Sequence, residues 1–139
     1  MMEIVISLRP EWAAAILDGH KTLEVRTSGP ENWTLRKEGP ATVWIYETKN
    51  GGGCGLVVGK FLCRKIHIKN ANRLNREERA ELEQRTGLTI EQMQEYQGRR
   101  TGLRFWEVEQ PEAAKPFPLK ELGLGCPPMS WCRARRRKK

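Results

Sequence analysis

The sequence predicts a single α+β domain, and three observations carry that reading. "EIVISL" alternates and is rich in β-branched residues, "ATVWIYET" is strongly apolar, and "LVVGKFLCRKIHI" reads as a further long strand. Residues 70–97 shift to a Glu-, Arg-, Gln- and Leu-rich composition with helix caps. A chain of 139 residues that is 38% hydrophobic can bury one core.

In order, "EIVISL" forms the first strand. Pro10 suits the first turn of a helix, with Ser7 just upstream as its cap. "EWAAAILDG" continues that helix, with Trp12, Ala15 and Ile16 at helical spacing and Gly19 free to turn left-handed at its end. "KTLEVRT" is a second strand. Thr22, Glu24 and Arg26 share one face and Lys21, Leu23 and Val25 the other, unless the turn after Gly19 swings Lys21 back. "SGPENWTLRKEGP" reads as a turn-rich connection between Gly29-Pro30 and Gly39-Pro40. "ATVWIYET" is a third, central strand. The flexible turn "KNGGGCG" leads it into a fourth strand, bent at Gly59, and the two form a hairpin.

"NREERAELEQRTG" is a polar helix ending at Gly87. "LTIEQMQEYQG" is another, with Thr89 and Gln92 as a capping box. "GLRFWEVEQ" is a fifth strand, "PEAAKPFPLKELG" a proline-punctuated crossing, and "CPPMSW" a rigid extended closing segment. The expectation is five to six strands with flanking helices over residues 1–132, then a loose basic tail at 133–139.

Six of the net eight positive charges lie in that tail, "CRARRRKK". Such a block either attracts phosphate without reading sequence or simply solubilises the chain end. No apolar run approaches the roughly 18 residues of a membrane span. The N-terminus lacks a signal-peptide pattern, so a cytoplasmic location is expected. The four cysteines, at 54, 63, 126 and 132, include no C-x2-C pair. Free thiols are expected, and no metal. Gly55, Gly59 and Lys60 spell G-x3-G-K, one residue short of a P-loop. Phe61 stands where Ser or Thr would hold magnesium, so no cofactor is expected. The two histidines, His20 and His67, complete no catalytic triad by spacing.

"GHKTLEVR" gathers Lys21, Glu24 and Arg26 into six residues. One reading is a structural ion pair, worth at most ~1 kcal/mol if exposed. The other is a pocket in which the lysine binds phosphate and the glutamate accepts from a base edge. His20 either joins such a ligand or complements the helix C-terminus. Among five tryptophans, Trp44 and Trp106 sit in apolar strands and read as core. Trp33 and Trp131 lie in loops, and Tyr46 ends a strand near Lys49. Loop aromatics beside basic groups can stack an unpaired base, at about 1–3 kcal/mol per base.

"SLRPEWAAAILDGHKTLEVR" resembles the opening of ASCH domains, K-P-x-(aromatic)…I-x-x-G-x-K-x-x-E-x-R, with Arg9 where many members have lysine. "VWIYET" and "GLVVGKF" look like the family's third strand and the one after it. "PFPLKELGLGCPPMSWCRA" resembles the P-x-x-L-x-x-(F/L)-G-x-x-x-P-P-x-S-W segment of bacterial and phage members. The resemblance implies a PUA-like fold, a small mixed β-barrel with helices around it. It also implies a cleft beside the charged strand and a link to RNA.

The family is functionally mixed. One branch hydrolyses the amide of N4-acetylcytidine with a Lys and a Thr in G-x-K-T-x-T-x-R and a downstream Glu. Lys21 matches that lysine, and Glu83 or Arg85 falls near the downstream position. Glu24 replaces the threonine, and a carboxylate is no substitute for an activated hydroxyl. A metal-independent ribonuclease would use Tyr46, Lys49 and Ser130 with Lys21 and Arg26. The leading expectation is a non-catalytic module for single-stranded or modified RNA. Lys21, Arg26 and Lys49 would hold phosphate, Glu24 would accept from a base or ribose hydroxyl, and Trp131 or Tyr46 would stack. A transcriptional coregulator-type interaction module is the third reading.

Overall fold

The computed structural model describes residues 2–136. Among them, eight strands form two sheets, so the expectation of a single barrel of five to six strands is corrected. The five-stranded sheet runs β7-β4-β3-β1-β8 and the three-stranded sheet β2-β6-β5. These strands are β1 (Glu3–Leu8), β2 (Leu23–Arg26), β3 (Ala41–Glu47), β4 (Val57–Cys63), β5 (Ile66–Lys69), β6 (Leu103–Glu107), β7 (Glu109–Phe117) and β8 (Trp131–Arg133). β1 pairs parallel to β3; the other ladders are antiparallel.

The first helix, α1 (Pro10–Leu17), begins with Pro10 as expected, but its cap position is Arg9. Ser7 instead donates its hydroxyl to the Pro128 carbonyl at 2.6 Å. The connection after β2 contains an unexpected helix, α2 (Asn32–Glu38). Its Asn32 amide bonds both the N–H and the C=O of Ile66, docking it on the edge of β5. The long fourth strand is two strands, broken at Arg64-Lys65, and the halves join different sheets. The proline-punctuated crossing is largely β7. It lies at a sheet edge, where Pro111 and Pro116 cost no central ladder bond.

The helices α3 (Arg76–Thr86) and α4 (Ile90–Gln97) fall where the sequence puts them. Both begin with complete capping boxes, Asn75 with Glu78 and Thr89 with Gln92, and Gly87 ends α3 left-handed.

One core lies between the sheets. Ile4, Ile6, Val43, Ile45 and Phe61 meet Ile66 and Trp106, with Ala13 and Ile16 of α1. A second joins Leu23, Val25 and Phe105 to Leu82, Ile90 and Met93 of the helical insert. A third packs Val5, Tyr46 and Val57 against Leu119, Leu122 and Leu124. Trp106 is core as expected. Trp44 is only half-buried, edge-on to Phe117 with its indole N–H donating to Glu3.

The loose tail is corrected for residues 133–136. Arg133 ends β8, Ala134 N–H donates to Glu3 O, and the Arg136 guanidinium bonds both Glu3 carboxylate oxygens. Residues 137–139 of the expected tail lie outside the described residues.

Candidate functional site: a buried charged cluster beside a ring-sized cavity

The local sequence builds this site. α1 stops at Leu17, Gly19 turns at φ +89°, and the Lys21 N–H returns to the Ala15 carbonyl at 2.9 Å. That turn swings Lys21 back toward Glu24, against strict strand alternation. Lys21 Nζ lies 3.7 Å from Glu24 Oε1, donates to the Thr86 carbonyl at 2.5 Å, and sits 5.0 Å from the Trp12 ring centre. Glu24 Oε2 accepts from Arg26 Nε at 2.7 Å. The rest of the Arg26 fork donates to Ser7 O at 2.8 Å and to Ser130 Oγ and O at 3.2 and 3.3 Å.

All three charged residues are buried: Lys21 is 3%, Glu24 4% and Arg26 7% exposed. Burial lowers the Lys21 pKa; Glu24 opposes that shift, and the nearby Arg26 charge adds to it. The structural ion pair between Glu24 and Arg26 is present but buried, so the limit for an exposed pair does not apply to it.

Lys21, Glu24 and Val25 line a cavity of about 170 Å³ with Leu8, Trp12, Leu88 and Tyr96. A 150 Å³ apolar cavity holds benzene, so this volume suits one aromatic ring. An ammonium has three N–H donors, and Thr86 takes one in a hydrogen bond. Glu24 Oε1 is an ion-pair distance from Lys21, too long for a hydrogen bond. The cavity wall thus carries spare donor and acceptor capacity side by side.

Other predicted residues lie at varying distance from this wall. Ser130 joins the cluster through Arg26. Tyr46 stands beside Ser7 in the β1–β3 register, and the Ser7 N–H donates to Ser130 O at 3.1 Å. Its ring is 7% exposed among leucines and presents no open face for stacking. Trp131 packs edge-on to Trp106, with rings 5.9 Å apart, and its N–H donates to Ser28 Oγ. Lys49 is exposed in the glycine turn, its stem lying along Gly55. His20 is exposed and bonds Asp18. Trp12 fills the aromatic position of the family pattern, whereas Tyr96 and the Thr86 carbonyl carry no sequence signal that marks them as site residues.

Of the two residues near the downstream glutamate position, Glu83 accepts from the Ile90 N–H at 2.9 Å. Arg85 grips Glu107 with both terminal nitrogens. Glu107 also meets His67 Nε2 at 2.6 Å. The four cysteines are free thiols; burial pushes Cys63 up to about 12. Among the described residues, no three His, Cys, Asp or Glu side chains converge as a metal site. Among them, too, no helix is long and apolar enough to cross a membrane.

Two sheets with flanking helices define a mixed α+β domain. No family model matches the chain, and no curated protein does. Solved structures do match. ASCH from Zymomonas mobilis aligns at TM-score 0.75 and 25% identity, covering 97% of this chain and 89% of that one. A serine-to-alanine variant of that protein gives 0.76 with the same identity and coverage. A tyrosine-to-phenylalanine variant gives 0.74, again at 25% identity, over 98% and 92% of the two chains. This chain shares the fold of these ASCH domain structures, which fits a PUA-like architecture.

Proposed function

We propose that this protein binds RNA and takes one unpaired base into the cavity at Lys21 and Glu24. The observation that carries the reading is the cavity itself. It has the volume of a ring, two aromatic walls, and a lysine donor beside a glutamate acceptor. That pairing complements the edge of a nucleobase that presents an acceptor next to an amino group. The protein's net charge of +8 favours a polyanionic partner. A cytoplasmic setting accords with this partner. Arg26 acts as the brace that fixes Glu24, and Tyr96, 42% exposed, is the wall that can close over a base.

Fluorescence anisotropy with short single-stranded oligoribonucleotides tests this. Tyr96→Ala removes a stacking face from a half-exposed position and should weaken binding about 5- to 150-fold, the equivalent of ~1–3 kcal/mol. Glu24→Gln should change which base is preferred. Affinity untouched by both changes counts against the cavity as the site.

A second reading is a metal-independent ribonuclease. It is favoured by the Arg26 hydrogen bond to Ser130 Oγ and by the position of Tyr46, one strand away beside Ser7. The two Zymomonas mobilis variants alter a serine and a tyrosine, the residue types concerned. Lys49 would supply a further positive charge from the adjacent turn. Gel analysis of the same RNA in EDTA separates the readings, because cleavage abolished in Ser130→Ala favours the enzyme. The amidohydrolase reading has no support at Glu24, whose Oε2 is committed to Arg26. A chain that binds no RNA directs attention to the protein-interaction reading instead.

A further inference from the structure

An open groove of about 460 Å³ runs along α3, lined by Leu74, Arg76, Arg79, Ala80 and Glu83. The 3.6-residue repeat puts Arg76, Arg79, Ala80, Glu83 and Gly87 on one side of the helix. Glu77 flanks this stripe and Glu81 lies further round the helix. Glu78 pairs with Lys69, and Arg85 with Glu107.

Arg76 and Arg79 are exposed. Among the described residues neither guanidinium meets a carboxylate or another side chain. Glu83, the acid that lines the groove, accepts from the Ile90 N–H at the start of α4, which holds one of its oxygens there. The N-terminus of α3 is not the attraction, because Asn75 and Glu78 close its capping box.

The groove and the cavity share no lining residue, but the helix face that carries the groove ends beside the cavity wall. Gly87 ends the same stripe, and a Cβ added there would lie 3.3 Å from the Trp12 ring, which walls the cavity. From Arg79 to Gly87 is about 12 Å along the axis.

We infer that Arg76 and Arg79 are a phosphate track. They hold backbone phosphates of the RNA strand whose base enters the Lys21–Glu24 cavity. The inference rests on the RNA reading above. A guanidinium fork matches phosphate oxygens, and such contacts position a strand without reading its sequence. The cavity would select the base while α3 guides the chain to it.

The test uses the full chain, a fluorescein-labelled single-stranded RNA of about ten nucleotides, a length within known single-strand site sizes, and a salt titration. In Arg76→Gln/Arg79→Gln the plot of log affinity against log salt should become shallower by about 1.4, ~0.7 for each phosphate no longer neutralised. Preference among bases should stay as in the unaltered chain. Glutamine is a good helix former and both sites are exposed, so thermal melting should coincide with wild type and confirm the fold. Arg64→Gln, a paired arginine beside Glu109, is the control and should leave the slope unchanged. If the unaltered chain binds and the double variant keeps the full slope, the track is overturned and the base reading stands. An equal flattening in Arg64→Gln also overturns it, because the effect is then general charge. If the unaltered chain binds no RNA, both readings fall.

Discussion

The Lys21–Glu24–Arg26 cluster and the Arg85–Glu107–His67 cluster share ingredients and differ in burial. Each centres on a glutamate held by an arginine and a second basic group. In the first, the three side chains are 4–8% exposed; in the second, 23–30%. Neighbouring residues of α3 serve both, Thr86 through its carbonyl to Lys21 and Arg85 through its fork to Glu107. Burial decides what such a cluster is. Without water to answer an orphaned charge, the first behaves as a fixed clamp. The second can exchange partners with solvent.

The largest expected effect tests that contrast directly. Glu24→Ala leaves Lys21 and Arg26 buried without their common counter-charge and should cost about 3–5 kcal/mol of stability. Urea denaturation measures it. An equal cost for Glu107→Ala would remove the distinction.

Glu107→Gln should cost less, about 1–3 kcal/mol at pH 7, as Arg85 and His67 lose a charged acceptor. Burial alone would raise the Glu107 pKa, but hydrogen bonds from Arg85 and His67, with their charges, bring it below 4.5. A depressed carboxylate stabilises the fold above its unfolded value and loses that contribution as pH falls through the folded one. The difference between wild type and Glu107→Gln should therefore be full at pH 7 and shrink below pH 4.5. Denaturation at several pH values checks this; a constant difference would mean that packing, not charge, sets it.

Thiols sharpen the same contrast by rate. Cys63 is buried and held near 12, whereas Cys54 and Cys126 are exposed. A thiol reagent at about pH 8 should modify the exposed pair quickly and Cys63 only on unfolding. The smallest effect belongs to the exposed Asp18–His20 pair. His20→Ala should leave the melting temperature unchanged.

Elements with local signals were legible in the sequence. β1, β3, α3 and α4 carry their periodicity and caps within a few residues. β7 was hidden by Pro111 and Pro116, which exclude a central strand but not an edge. The break after β4 was hidden because Arg64 and Lys65 fit strand alternation; only packing sends the halves to different sheets. α2 was masked by its Gly-Pro brackets. Lys21, Glu24 and Arg26 stood out as a charge pattern, but their burial did not, because it depends on Thr86, Leu88 and Tyr96. Those residues come from a helical insert sixty or more positions away. Trp12 read as a core face of α1 and borders the cavity because Gly87 lets α3 end against it.

The pairing of β8 with β1 has a consequence for how the chain is made. β1 leaves a ribosome well before its outer neighbour, residues 131–133. At about 5–20 residues per second, that partner follows roughly 6–25 s later. For that interval the apolar β1 has an unpaired edge, and Arg26 lacks Ser130. Nascent chains stalled before Trp131 should therefore need protection from edge-to-edge association that the finished domain does not.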